Sequence, residues 1–309
     1  MAKVDLSVEL YGHKLKSPLV LASGILGTDA QILHRVAKTG IGAVTTKSCG
    51  LLPRPGHENP TVLAWEHGLL NAVGLTNPGV DKEVEEIKKL KKLLSNTNTK
   101  IIASFFGCTI EEFGKIAKTL SLAKPDFLEA NISCPNTMDE FGRPFATNPT
   151  QTYKIVKNVK KASKIPLIVK LSPNVTDIVS IAKAAEEGGA DVISAINALL
   201  GMIIDTTSKK PILTNKMGGI SGPAVKPIAV RCIYQIRKAV KIPIIGIGGV
   251  TSGKDAIEMI LSGASAVGVG SAVYYRGINV FSKINKEIEE YCRLSSIKSI
   301  KSLIGGAHE

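Results

Sequence analysis

One thiol stands out for its setting. Cys134 lies in the run Asn131-Ile132-Ser133-Cys134-Pro135-Asn136, directly after the apolar stretch 126–130, which reads as a short buried strand. The thiol therefore falls just past a strand end, between two carboxamides, and leads into a loop rich in Pro, Gly and Asn. Catalytic and binding residues concentrate in such loops. A cysteine there serves as a nucleophile or a base. Asn131 and Asn136 can hydrogen-bond a planar amide substrate without adding charge.

The elements that must position these groups follow from hydrophobic patterning. Short apolar runs predict strands at 19–23, 43–47, 100–105, 127–131, 167–170, 192–196, 244–247 and 266–269. Their near-continuous hydrophobicity suits parallel strands buried on both faces. Between them, helical periodicity predicts helices at 30–38, 82–94, 110–121, 151–162, 176–187, 225–240, 254–261 and 280–291. Asp29, Thr109 and Ser252 read as helix starts; Gly40, Gly188-Gly189 and Gly263 read as stops. Eight strand–helix units in 309 residues favour an α/β fold of the (β/α)8 TIM-barrel type, formed as one domain over 1–309. A front hairpin at 6–16, turning at Gly12, is expected to cap one end. Three long connections, 48–81, 132–148 and 197–224, all follow strands and so fall at the C-terminal mouth.

Polar groups gather where the strands end: Ser23-Gly24, Lys47-Ser48, Ser104, Asn131, Lys170, Asn197, Gly248-Gly249 and Gly270-Ser271. Two lysines closing apolar strands around one mouth call for an anionic or electron-rich ligand, because a buried lysine is costly unless paired. Gly248-Gly249, before a helix starting near Ser252, and Gly270-Ser271, after the eighth strand, form a phosphate cradle of the kind barrels place there. No G-x-G-x-x-G or P-loop pattern occurs, which disfavours a dinucleotide fold or a triphosphatase. A barrel with a terminal phosphate cradle and central lysines suits FMN. The flavin ring would lie over the mouth, with a lysine stabilising its reduced anion.

Composition narrows the alternatives. No run approaches 18 apolar residues, and the N-terminus lacks a signal-peptide layout, so a cytoplasmic location without membrane insertion is expected. The five cysteines are scattered without a C-x-x-C pair, against a disulfide framework or a metal site built by this chain alone. Cys49 and Cys108 read as structural fillers near strand ends, and Cys232 and Cys292 as helix core. The formal net charge of +13 reads first as a solvated lysine-rich surface and second as an anionic small ligand. Nucleic acid is not expected, since aromatics are sparse and not interleaved with the basic runs. His57 and His67, in the second-strand loop, read as surface or loop contacts, and the lone Trp65 as a packing or interface residue.

Taken together, Thr45-Thr46-Lys47-Ser48, Asn71-Ala72-Val73-Gly74-Leu75-Thr76-Asn77, Asn131-Ile132-Ser133-Cys134-Pro135-Asn136, Ile168-Val169-Lys170-Leu171-Ser172-Pro173-Asn174, Ile196-Asn197-Ala198, Gly218-Gly219-Ile220-Ser221-Gly222, Gly246-Ile247-Gly248-Gly249 and Gly270-Ser271-Ala272 form a highly specific set. Through them nearly the whole chain resembles the dihydroorotate dehydrogenases, most closely the class 1B catalytic subunits. The resemblance implies oxidation of (S)-dihydroorotate to orotate in pyrimidine synthesis. It implies that Cys134 takes the C5 proton while the C6 hydride passes to FMN. It assigns substrate binding to Lys47, Asn71, Ala72, Val73, Gly74, Leu75, Asn131, Asn136, Asn197 and Ala198. It assigns FMN binding to Ser23, Lys47, Ser48, Ser104, Asn131, Lys170, Ile196, Gly222, Gly248, Gly249, Gly270 and Ser271. Class 2 members carry serine at the base position and an N-terminal membrane helix; class 1A members use cysteine, but 197–224 is more similar to class 1B. That class implies a homodimeric core bound by two electron-transfer subunits, each bearing FAD and a [2Fe–2S] cluster, in a heterotetramer with NAD as acceptor.

Three positions depart from the family pattern. Ala198 stands where Thr or Ser is expected, Ser104 where class 1B commonly has Asn, and Ser271 where a Thr-like residue is common. The rival readings are a tRNA dihydrouridine synthase, oxidation of a dihydropyrimidine lacking the carboxylate, and a non-catalytic flavin-binding barrel.

Overall fold

The computed structural model describes residues 4–133 and 145–308. Eight parallel strands close into a barrel in sequence order: Leu19–Leu21, Ala43–Thr45, Lys100–Phe105, Phe127–Asn131, Leu167–Leu171, Val192–Ala195, Ile244–Ile247 and Ala266–Val269. The eighth pairs back onto the first, Val267 opposite Leu19. All eight expected strands are present. The first two stop short of Ser23 and Lys47, which leaves both side chains just beyond the ladder.

Helices α1 (Ala30–Ala37), α2 (Val80–Leu93), α3 (Ile110–Leu120), α4 (Pro149–Ala162), α5 (Ile178–Gly188), α6 (Lys226–Ala239), α7 (Gly253–Leu261) and α9 (Val280–Leu294) were all legible in the periodicity. The short α8 (Ala272–Arg276), directly after the eighth strand, was not. The three expected N-caps are in place: Asp29 accepts from Gln31 and Ile32, Thr109 from Glu112, and Ser252 from Asp255. Each cap satisfies N–H groups that a helix start leaves without partners. Gly189 closes α5 in the left-handed conformation.

Val8–Leu10 and His13–Leu15 form the expected hairpin, turning through Tyr11 and Gly12, both at positive φ. Val8, Leu10 and Leu15 are fully buried, and the His13 ring lies 4.6 Å from that of Phe127 at the start of the fourth barrel strand. The hairpin thus closes the N-terminal end of the barrel.

Two of the long connections are not irregular. Val62–Trp65 and Gly68–Asn71, after the second barrel strand, join Gly218–Ser221 and Leu199–Gly201, after the sixth, in a four-stranded antiparallel sheet. A further ribbon pairs Ile204–Asp205 with Lys210–Pro211. These strands are short, and the pairing that joins the two connections, Asn71 opposite Gly219, spans about 150 residues of sequence, so local pattern carries little of it. Cys134 and Asn136, in the third connection, lie outside the described residues. Among the described residues no helix is long and apolar enough to cross a membrane, and no cluster of His, Cys, Asp and Glu could hold a metal. Cys49, Cys232 and Cys292 are buried as expected. Cys108 is exposed rather than a filler, because it lies on the loop leading to α3, where its N–H donates to the half-buried Glu112.

Candidate functional site

The C-terminal mouth of the barrel opens into a cavity of about 680 Å³, within the size range of small-molecule sites. Both strand-end lysines reach it. Lys170 is almost fully buried, and its ammonium donates to Ser23 Oγ at 3.3 Å. Lys47 has no acidic partner among the described residues; burial and the neighbouring Lys170 charge push its pKa down. A desolvated cation beside a second cation is favourable only if an anion or an electron-rich ring joins them.

Asn131 closes the fourth strand with a fixed orientation. Its Oδ1 accepts from the Ser133 backbone N–H (3.3 Å) and hydroxyl (2.6 Å), so its Nδ2 faces Ser48 Oγ at 3.5 Å. Ser48 Oγ pairs with Ser104 Oγ at 2.8 Å. Ser104 and Ser194 in turn donate to the two carboxyl oxygens of buried Glu129, each at 3.0 Å. Ser104 was assigned to the cofactor on resemblance. It does not line the cavity; its side chain is consumed in this chain beneath the floor, bracing Ser48.

The phosphate cradle is narrower than the sequence suggested. Gly248, Gly249, Gly270 and Ser271 line the cavity, and their N–H groups donate to no described residue. Backbone donors in a folded protein are nearly always paired, so a group of open ones beside a cavity marks an anion site. Gly249 is obligatory there: at φ +71°, an added Cβ would stand 2.7 Å from Lys226 Cβ and 2.8 Å from the Gly222 carbonyl. The start of α7, however, is not open. Asp255 accepts from the N–H groups of Thr251 and Ser252 and from the Lys226 ammonium, and Glu287 accepts from Gly253. Burial works against the Asp255 charge, but these donors hold its pKa at about 2. Protein carboxylates thus occupy the helix end that was expected to face the phosphate.

A second set of open donors lies in the loop after Gly68–Asn71. Val73, Gly74 and Leu75 line the cavity, and their N–H groups also donate to no described residue. The Asn71 side chain donates to the Gly219 carbonyl at 3.2 Å, and Ala72 N–H to Thr61, tying the loop to the mouth sheet. Asn77, nearly buried, donates to the Leu75 carbonyl and accepts from Gly50 and Gly79. Ile196, Asn197, Ala198 and Gly222 complete the wall from the sixth-strand side.

Every described residue assigned by resemblance, Ser104 excepted, therefore borders one cavity. Among the further wall residues that were missed, Asn174 and His57 make hydrogen bonds to the wall. Asn174 donates to the Ala198 carbonyl (3.1 Å) and accepts from Leu200 N–H (2.9 Å); a carboxamide just past the fifth strand was the available signal. His57 was read as a surface or loop contact, yet it lines the cavity and bonds the Ala72–Val73 segment. Nothing in its sequence neighbourhood announced this.

A parallel eight-stranded barrel whose C-terminal mouth carries two lysines, a ring of carboxamides and two sets of open backbone donors defines a small-molecule enzyme class with an anionic cofactor or substrate. The dihydroorotate dehydrogenase family model matches residues 5–292. The chain is 46% identical over 309 residues, covering all of both chains, to a Methanocaldococcus jannaschii protein named dihydroorotate dehydrogenase B (NAD(+)), catalytic subunit. Relatives of the same name come from Methanosarcina mazei (47% over 301 residues, 97% of this chain and 94% of the relative) and Alkaliphilus metalliredigens (47% over 308 residues, 99% of each). The chain belongs to the dihydroorotate dehydrogenase family.

Proposed function

We propose that this protein oxidises (S)-dihydroorotate to orotate in the cytoplasm, as the catalytic subunit of an NAD-linked enzyme of pyrimidine synthesis. The observation that carries the reading is the pair of open-donor sets within one basic cavity. One, at Gly248, Gly249, Gly270 and Ser271, suits the phosphate of FMN. The other, at Val73, Gly74 and Leu75, suits the substrate carboxylate. Lys47 supplies the charge that both sites share, and Lys170 with Ser23, Ser48, Ile196 and Gly222 supports the flavin.

FMN, when bound, supplies the acceptor for the hydride that leaves C6. The chain's own residues handle the rest. Asn71, Asn131, Asn136 and Asn197 meet the amide and carbonyl edges of the pyrimidine, with acceptors and donors matched to an uncharged planar imide. Ala198 contributes only contact at its Cβ. Cys134 takes the C5 proton, so the C5–H bond breaks toward sulfur as the C6–H pair departs. Its chain neighbour Ser133 lines the cavity, and that residue's N–H is fixed by Asn131. A free thiol has a pKa of about 8.5, so activity is expected to rise with pH toward that range. The word subunit in the relatives' names supports a separate partner; in this proposal that partner carries FAD and a [2Fe–2S] cluster and joins a homodimeric core.

Anaerobic mixing of the flavin-loaded protein with dihydroorotate tests this reading directly. Rapid bleaching of the flavin band is expected, with Cys134→Ser retaining the flavin but losing the bleaching near neutral pH. A flavin that stays oxidised in the unaltered protein would remove dihydroorotate as substrate, and unchanged bleaching in Cys134→Ser would remove the base.

A further inference from the structure

The carboxylate-binding loop needs something to aim it. Gly74 and Leu75 both lie at positive φ, +77° and +57°, and a non-glycine residue there is held only by its surroundings. His57 makes two hydrogen bonds to this segment from a different part of the second-strand connection. Its backbone N–H donates to the Val73 carbonyl at 3.1 Å, and its ring Nδ1 lies 3.0 Å from the Ala72 carbonyl. A carbonyl oxygen only accepts, so Nδ1 carries the proton. The ring also packs on Gly74: a Cβ added there would sit 2.7 Å from the His57 Cγ.

The geometry of the peptide unit turns these two bonds into a statement about the cavity. In a planar trans peptide, the C=O of one residue and the N–H of the next point in opposite directions. Pinning the Ala72 carbonyl to His57 therefore turns the Val73 N–H away from His57. Pinning the Val73 carbonyl does the same for the Gly74 N–H. These are two of the open donors that line the cavity.

We infer that His57 is a positioning residue that presents the Val73 and Gly74 N–H groups to the carboxylate of the substrate. The inference rests on the dihydroorotate reading above and assigns the histidine no proton transfer. Its ring acts through the Nδ1–H, so a side chain with a donor at that position must substitute for it, and a ring of similar size without a donor must not. Asn places its Nδ2 about where His places Nδ1; Phe keeps the contact with Gly74 but loses the bond.

The test is orotate binding to the flavin-loaded protein, by calorimetry, for the unaltered chain, His57→Phe and His57→Asn, with flavin content measured on each. Loss of one aiming hydrogen bond is expected to weaken orotate in His57→Phe by about tenfold. His57→Asn should stay within about threefold of the unaltered protein, on the same scale. Flavin content should not change, and in turnover the KM for dihydroorotate should rise with kcat little altered. Equal affinities in all three proteins would overturn the inference, as would equal weakening in both variants, which would mean packing alone. Failure of the unaltered protein to bind orotate would bring down the substrate reading itself, a result distinct from either.

Discussion

Glu83 offers a prediction whose size can be worked from the structure. It lies in the first turn of α2, and only 2% of it is exposed. Burial raises its pKa from 4.5 to about 7; a hydrogen bond with Thr46 pulls it down and the Glu86 charge pushes it up. No cation pairs with it among the described residues. Its neighbour Cys49 is pushed well up by burial and by the Glu83 charge, so that thiol stays neutral throughout. The folded state thus holds a proton that the unfolded chain releases near pH 4.5. The associated stability is fully present below pH 4.5 and is lost as the pH rises through 7. A displacement of about 2.5 pH units at about 1.4 kcal/mol each gives about 3 kcal/mol. Glu83→Gln keeps the shape and the bond to Thr46 but cannot ionise. Denaturant unfolding at pH 5 and pH 8 is the assay. The variant should exceed the parent by under about 1 kcal/mol at pH 5 and by about 3 kcal/mol at pH 8. A stability difference that is the same at both pH values would refute the reasoning. Thr46 directly precedes Lys47, so the same carboxyl sits behind the strand end that carries this cavity lysine.

Two further outcomes follow from the cavity. Gly249→Val forces a branched side chain into a positive-φ position with backbone and Lys226 within 2.8 Å, so flavin retention should fall by more than about tenfold while circular dichroism stays native. Lys47→Met removes a desolvated charge whose pKa is lowered by burial and by Lys170. The flavin-free protein should therefore melt at a higher temperature than the parent, while orotate binding is lost; a lower melting point would show that Lys47 has a partner that stabilises it.

The barrel was legible because its signals are local. A run such as Ile101-Ile102-Ala103, bounded by a polar start and a capped helix, is a strand whatever the rest of the chain does. Asp29, Thr109 and Ser252 cap helices through atoms only two or three residues away. The strand-end lysines and glycines were legible for a related reason: once eight parallel strands close in order, every strand end must face the same mouth.

What the sequence could not supply was pairing between distant segments and the partners that open or occupy a donor. The mouth sheet joins Asn71 to Gly219, an arrangement with no periodic signature in either piece. Ser104 reads as a cavity residue until Glu129 and Ser48 claim its hydroxyl, and the start of α7 reads as an anion site until Asp255 and Glu287 fill it. His57 reads as a surface histidine until the chain folds back and sets it against Ala72, Val73 and Gly74. By itself, then, the sequence determined the fold, the family and the chemical types gathered at the mouth, because those rest on short-range pattern and strand order. The tertiary structure alone decided which polar groups remain free to meet a ligand, because hydrogen bonding is satisfied across space and each partner removes a donor or acceptor from the site.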